Sequence, residues 1–459
     1  MRALLLAATA LFATAGAVSA AEQRFEARLA GHAILPAFTM ELPPADAPRD
    51  AMVSGKFAGN STDRNDRAGS SVTMTGPAPG GRPTGLSLPF IGQPVQGFSG
   101  IKPVKGEAGA YWVLTDNGFG NKRNSGDALL ALRKIRPDFR TGQITVERTV
   151  FFSDPDRRVP FRIAYEGTDS RYLTGADFDP ESIQPIEGGG FWIGEEFGPF
   201  IIRLDAEGHV QQVVPTLLDG KPLMGPDNPA LSVGATPTAG TAFRVRRSGG
   251  YEGMAMLPDG SRLWALLEQP LFNEGTDQPE GAFIRMLEFD TAKAAWTGRS
   301  LKYRLAEGAA AIGDFNMIDD RRALVIERDN GEGDATLACP QGQVPPACFA
   351  TPARVKRISL VDLGAPDAEG FVNKIGYIDL LNMQDPEKLA RQRGDRGPNA
   401  PADRLSFPFL TIENVAMVDA DHIIVGNDNN LPFSAGRHLT RADDNEMILL
   451  SVPELLRAR

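Results

Sequence analysis

The chain has 459 residues, 42% of them hydrophobic, enough to bury a large core and to form one to three domains. Its formal net charge of −10 argues against a nucleic-acid binder, because such proteins need basic patches to displace counterions. Beyond the first residues no stretch is apolar for about 18 residues, which argues against a helical membrane span.

The sequence opens with Met1-Arg2 and an apolar run over residues 3–17 that ends at Val18-Ser19-Ala20. Small residues at that spacing fit a secretory signal over residues 1–20, cleaved near Ala20, and hence a periplasmic or secreted mature protein. Residues 21–96 are read as a second segment. It holds an isolated strand over residues 24–30 and continues as an irregular stretch rich in Pro, Gly, Ser and Asp.

Residues 97–459 repeat one hairpin. In its clearest copy, Asp179-Pro180-Glu181-Ser182-Ile183 opens a strand, Glu187 and three glycines turn the chain, and Phe191-Trp192-Ile193-Gly194 ends on Glu195-Glu196. In an antiparallel pair the start of the first strand lies beside the end of the second, so these carboxylates share one rim. Tyr251-Glu252-Gly253-Met254 pairs in the same way with a strand that ends on Glu268. Asp314-Phe315-Asn316 pairs with one ending on Glu327-Arg328-Asp329, and Ile412-Glu413-Asn414 with one ending on Asn427-Asp428. Gly97-Phe98-Ser99-Gly100 with Asp116-Asn117 is a weaker first copy.

Two further strands usually follow each hairpin, giving four antiparallel strands per unit. The predicted fold is therefore all-β: a β-propeller of four-stranded blades, with five repeats legible and five or six blades in all. The fifth unit runs out after its third strand. The N-terminal strand is expected to complete it, closing the ring and removing exposed sheet edges. Residues 215–250 leave room for a sixth blade. Helical propensity is confined to residues 387–393 and 454–457. Trp112, Trp192 and Trp264 recur at one strand position and read as blade packing.

Cys339 and Cys348 lie close together in a proline-rich loop, and in an oxidising compartment they are expected to form a disulfide.

In a propeller the first strand of each blade lines the central channel, so the acidic strand ends gather at one mouth. The expected ligand set is Glu181, Glu195, Glu196, Glu252, Glu268 and Glu413, with Asp116 and Asp428 next; Asp314, Glu327 and Asp329 are expected near the same rim. So many carboxylates repel unless a cation, an arginine or protons offset them. Hard oxygen donors suit Ca²⁺, with Mg²⁺ second, and four histidines without ligand spacing disfavour zinc. The alternative is structural, since carboxylates at strand ends also accept backbone N–H bonds and hold turns. Arg123, Arg328 and Arg437, along with Lys122 and Arg441, are candidates for an anionic substrate, with ion pairing to the rim as the alternative. No Gly-x-Ser-x-Gly elbow is present for a serine esterase.

These ordered motifs, closing on Gly426-Asn427-Asp428-Asn429-Asn430, resemble the phytase-like family. Its members are secreted bacterial and plant proteins described as having an esterase-like activity of phytase. The resemblance runs from Gly97 to Val452 and implies a propeller that hydrolyses phosphate or carboxyl esters of small molecules. No catalytic set comes with it. The sequence reading is an exported, calcium-assisted ester hydrolase. The alternatives are a non-catalytic extracytoplasmic propeller that binds a ligand or protein and keeps a structural metal, and a sugar- or lactone-directed enzyme with a similar mouth.

Overall fold

A computed structural model describes residues 22–58, 71–76, 81–238 and 243–459; the expected signal sequence lies outside them. Alternating apolar residues, punctuated by Pro-Asp-Gly and Asp-rich turns, form four blades of four antiparallel strands within single runs of chain. Blade 1 consists of Phe98–Pro103, Tyr111–Thr115, Ala131–Asp138 and Gln143–Phe151. Blade 2 consists of Pro180–Pro185, Phe191–Glu195, Phe200–Leu204 and Val210–Pro215. Blade 3 comprises Gly253–Met256, Arg262–Leu266, Ile284–Asp290 and Ala295–Tyr303; blade 4 comprises Ala311–Met317, Arg322–Arg328, Lys356–Asp362 and Asn373–Asp379.

Blade 5 takes Asn414–Met417, His422–Gly426 and Asn445–Ser451 from the end of the chain and its fourth strand, Arg28–Leu35, from the beginning. That closing strand runs antiparallel to its neighbour, from Arg28 opposite Ser451 to Leu35 opposite Asn445. The expected strand over residues 24–30 is in fact two. Gln23–Phe25 lies parallel on the outer edge of blade 4, and the chain crosses to blade 5 after Ala27. One short N-terminal segment thus covers one sheet edge and completes another blade.

The innermost strands of blades 1 to 5 touch in a ring, blade 5 returning to blade 1, so the described residues form a five-bladed propeller. Residues 215–250, with space for a sixth blade, yield only the small hairpin of Leu217–Leu218 and Lys221–Pro222 among the described residues. Residues 387–393 are not helical either. Asp385 accepts the N–H groups of Leu389 and Ala390 at 2.7 and 3.2 Å and holds an irregular loop. A short helix does form at Pro453–Arg457.

Apolar clusters fill the wedges between blades. Phe178, Ile183 and Ile202 pack between blades 1 and 2; Trp192, Trp264, Phe289 and Phe315 unite blades 2, 3 and 4; Ile358, Val425 and Leu450 join blades 4 and 5. Full burial of one such side chain contributes about 2 to 3 kcal/mol. The segment before residue 97 adds short pairs such as Val53–Ser54 with Phe90–Ile91, and packs on Phe119, Leu431 and Ala442 in loops of blades 1 and 5. Cys339 and Cys348 are bonded, pinning their loop. No helix among the described residues is long and apolar enough to cross a membrane.

Candidate functional site

The site sits where innermost strands begin and second strands end. In blade 2 the register slips between Pro180 and Ser182, so Glu181 is the extra residue of a β-bulge and leaves the strand alternation. Glu196 follows the last residue of the partner strand. Glu252 and Glu413 immediately precede the innermost strands of blades 3 and 5, while Glu268, Asp428 and Asp116 follow the second strands of blades 3, 5 and 1.

Oxygens of Asp179, Glu181 and Glu196 lie within 4.8 Å of one another, and all three residues are buried. Around them the carboxylates of Asp116, Glu252, Glu268, Glu413 and Asp428 act electrostatically on the same group. Burial comes first in raising each of these eight pKa values, and neighbouring carboxylates add to the rise for most of them. Asp179 and Asp428 are pushed up to about 6 and Glu413 to about 8; Glu181, Glu196 and Glu252 are raised well above their ordinary range.

Arg328 is the cation at this mouth. It ends the second strand of blade 4, where other blades carry an acid, and donates to Glu268 at 2.6 Å and to Asn330 at 3.1 Å. Burial opposes its charge, and Glu268, Glu252, Glu413 and Glu196 more than offset that cost. Its Nε has no hydrogen-bond partner, nor have Oε1 of Glu196 and Oε1 of Glu252, although all three atoms are buried. Other oxygens are held in place. Ser99 Oγ donates to Glu413 at 2.8 Å, the Asn117 N–H to Asp179 at 3.1 Å, and the Asn430 N–H to Asp428 at 2.7 Å.

Several expected members spend their polar atoms elsewhere, although Glu195 still acts electrostatically on Glu196. Glu195 accepts the backbone N–H groups of Phe197, Gly198 and Phe200 at 2.6 to 2.9 Å, so both its oxygens hold the turn that follows its strand. Glu327 is buried on the face of blade 4 against Lys374, Arg357 and Ser359, each at 2.6 Å. Asp329 pairs with Lys356 at 3.1 Å. Arg437 is fully buried, its guanidinium bridging both oxygens of Glu446, which leaves no fork for a substrate. Arg123 is exposed on a surface loop, and Arg441 reaches Gln392. Lys122 donates to the carbonyl of Asp227 at 3.2 Å, beside Phe197.

Asp179 was not among the expected ligands. An Asp before Pro reads as a turn former, and only the fold shows that the Glu181 bulge turns the two carboxylates together.

Below the carboxylates, side chains tie the innermost strands to one another. Asn316 Nδ2 donates to Val415 O at 2.7 Å and to Ile101 O at 3.5 Å; Gln184 Nε2 donates to Asn316 Oδ1 at 3.2 Å and to Met254 O. Asp314, displaced by a bulge in blade 4, accepts the Val415 N–H at 2.8 Å and belongs to this plug rather than to the rim.

Each histidine faces a carboxylate: His32 with Glu446, His209 with Asp205, His422 with Asp419 and His438 with Asp395. Among the described residues none hydrogen bonds a serine hydroxyl.

A family model described as "Phytase-like: Esterase-like activity of phytase" matches residues 93–431. No curated protein matches the chain. Among solved structures, the chain is similar to the major Malassezia sympodialis allergen Mala s 1 at 11% identity, covering 80% of this chain and 83% of that one with a TM-score of 0.35. It is similar to the Pseudomonas aeruginosa periplasmic gluconolactonase PpgL at 12% identity, covering 83% and 99%, TM-score 0.30. A calcium-binding regucalcin from Agrobacterium tumefaciens matches at 11% identity, covering 78% and 92%, TM-score 0.33.

Proposed function

The chain belongs to the phytase-like family, and on that premise we propose that it is an exported ester hydrolase, acting on phosphate or carboxyl esters at the acidic mouth with a bound divalent cation. The observation that carries this reading is the gathering of seven buried carboxylates and the half-buried Asp116 at one mouth, where Glu196, Glu252, Glu268, Glu413 and Asp428 act on the Arg328 guanidinium and Glu196 Oε1 and Glu252 Oε1 are left without partners. Buried acids in such excess call for protons or a cation. The donor set is all oxygen, with three carboxylates gathered within 4.8 Å, which fits Ca²⁺ better than a softer metal.

Asp179, Glu181, Glu196 and Glu252 would hold the cation. Bound there, it would supply Lewis-acid neutralisation of the ester's anionic or carbonyl oxygen. Arg328 has an unpartnered Nε and would hold an anionic oxygen of the substrate. Glu413, oriented by Ser99, would take the proton of the attacking water. The hydrogen-bonded pair of Asn316 and Gln184 lies across the floor, so substrate would enter and product leave by the acidic mouth.

The test is hydrolysis of a phosphomonoester and a carboxyl-ester panel by purified protein, with added Ca²⁺ and with chelator. Calcium-dependent turnover is expected. Turnover indifferent to chelator would overturn the metal-assisted reading. No turnover, with a melting temperature that rises on adding Ca²⁺, would favour a ligand-binding propeller with a structural metal.

A further inference from the structure

At the end of the channel opposite the carboxylates, a cavity of about 600 Å³ opens between blades 1, 2 and 3. Lys102, Gln184, Trp192, Arg203, Met256 and Pro258 line it. Lys102 lies near the far end of the innermost strand of blade 1. Among the described residues its ammonium makes no hydrogen bond or ion pair, and it feels Asp314 only at longer range. The oxygens of Asp314 are already occupied by the N–H groups of Phe315 and Val415 and by Asn316 Nδ2. Lys102 is half-buried; desolvation by the surrounding strands lowers its pKa to about 8, and the charge of Asp314 opposes that shift.

The other charges of the cavity divide unevenly. Glu187 is paired with Lys105 at 2.6 Å, and Asp259 holds its own turn through Ser261. Arg203 is exposed, lies 5.7 Å from the Trp192 ring and has no carboxylate partner among the described residues. Gln184 uses its amide N–H groups in the plug, and among the described residues its Oε1 accepts no hydrogen bond. Among the described residues, Glu187 and Asp259 thus have partners, whereas Lys102 and Arg203 have no carboxylate partner.

We propose that this cavity is a second ligand site, which takes a small organic anion: its carboxylate or phosphate head meets Lys102 and Arg203, and its apolar body lies on Trp192, Met256 and Pro258. Lys102 is half-buried with no close counter-charge among the described residues, so an anionic head that reaches it gains a charge-assisted hydrogen bond, the strong kind. A ring on the ligand also suits a wall of Trp192 and a guanidinium. The site is separate from the ester site in place and in sign of charge, with the Gln184–Asn316 plug between them.

The experiment uses the full mature chain with chelator present, so that no cation at the acidic mouth can recruit an anion. Phenyl phosphate, benzoate and inorganic phosphate are titrated calorimetrically. At least one of the two aromatic anions is expected to bind one-to-one with Kd below about 1 mM, more tightly than inorganic phosphate. Lys102→Met should weaken that binding about tenfold or more, and Arg203→Ala by a few-fold. Arg203 is exposed, so its variant tests the site even if Lys102→Met does not fold. Preference for phenyl phosphate would assign a phosphate head, and preference for benzoate a carboxylate. Absence of binding by both aromatic anions, or equal affinity in wild type and Arg203→Ala, would overturn the proposal.

Discussion

Gln184 of blade 2 donates to Asn316 of blade 4 at 3.2 Å across the channel, and through this pair all five innermost strands are linked. Asn316 continues to Ile101 of blade 1 and Val415 of blade 5, and Gln184 to Met254 of blade 3. The network stands between an acidic mouth and a cavity with unpaired cations. Asn316→Ala removes the donor to carbonyls in two blades and leaves Gln184 with only one of its two acceptors. Loss of about 2 to 4 kcal/mol is expected in urea unfolding. A loss below about 1 kcal/mol would mean that the plug does not hold the ring together.

Glu252→Gln and Glu413→Gln each remove one charge from the mouth while keeping volume. Calcium affinity measured by calorimetry should fall about tenfold or more in Glu252→Gln, which has an unpartnered oxygen to offer. In Glu413→Gln the loss should appear chiefly in kcat, about a hundredfold, if Glu413 is the base. Unchanged calcium binding in both variants would count against the ligand set.

The raised carboxylates set a pH dependence. Asp179 and Asp428 titrate at about 6 and Glu413 at about 8 in the folded chain, above the ordinary value of about 4 expected when unfolded. Above pH 4 the unfolded chain therefore loses these protons first. The stabilisation from the protonated folded groups is complete below about pH 4 and is lost as pH rises through 6 to 8. Chelated protein should show a melting temperature that falls across that window, and calcium should restore it most at the alkaline end. A melting temperature of the chelated protein that rises from pH 4 to 8 would contradict this.

Gly313 tests the link between blades 4 and 5 without touching a charged group. A Cβ there would stand 1.9 Å from the carbonyl oxygen of Ile412, the residue before Glu413. Gly313→Ala should therefore displace Glu413, lowering both stability, by about 2 kcal/mol or more, and turnover. Wild-type activity in this variant would show that the position of Glu413 is not critical.

Much of the ring was legible because its information is local. Pro258-Asp259-Gly260 and Asp419-Ala420-Asp421 mark turns between alternating strands, and the missing fourth strand of the last unit points to the N-terminus. The site was legible only in part. Adjacent residues at a strand end look alike in sequence, yet Glu195 caps its own turn while Glu196 enters the cluster. Glu327 and Arg328 likewise part company, one to the blade face and one to the mouth. Arg437 could not be removed from the substrate set by sequence alone, because its partner Glu446 is chosen by packing of a loop against the last blade.

The most direct measurement is a calcium titration of chelator-stripped protein at pH 7 in two buffers of different ionisation enthalpy. A bound cation must displace the protons that the buried carboxylates otherwise hold, so saturable binding with release of protons is the expected result. Absence of saturable binding by Ca²⁺ and Mg²⁺, with the melting temperature unchanged by either, would contradict a metal-holding mouth.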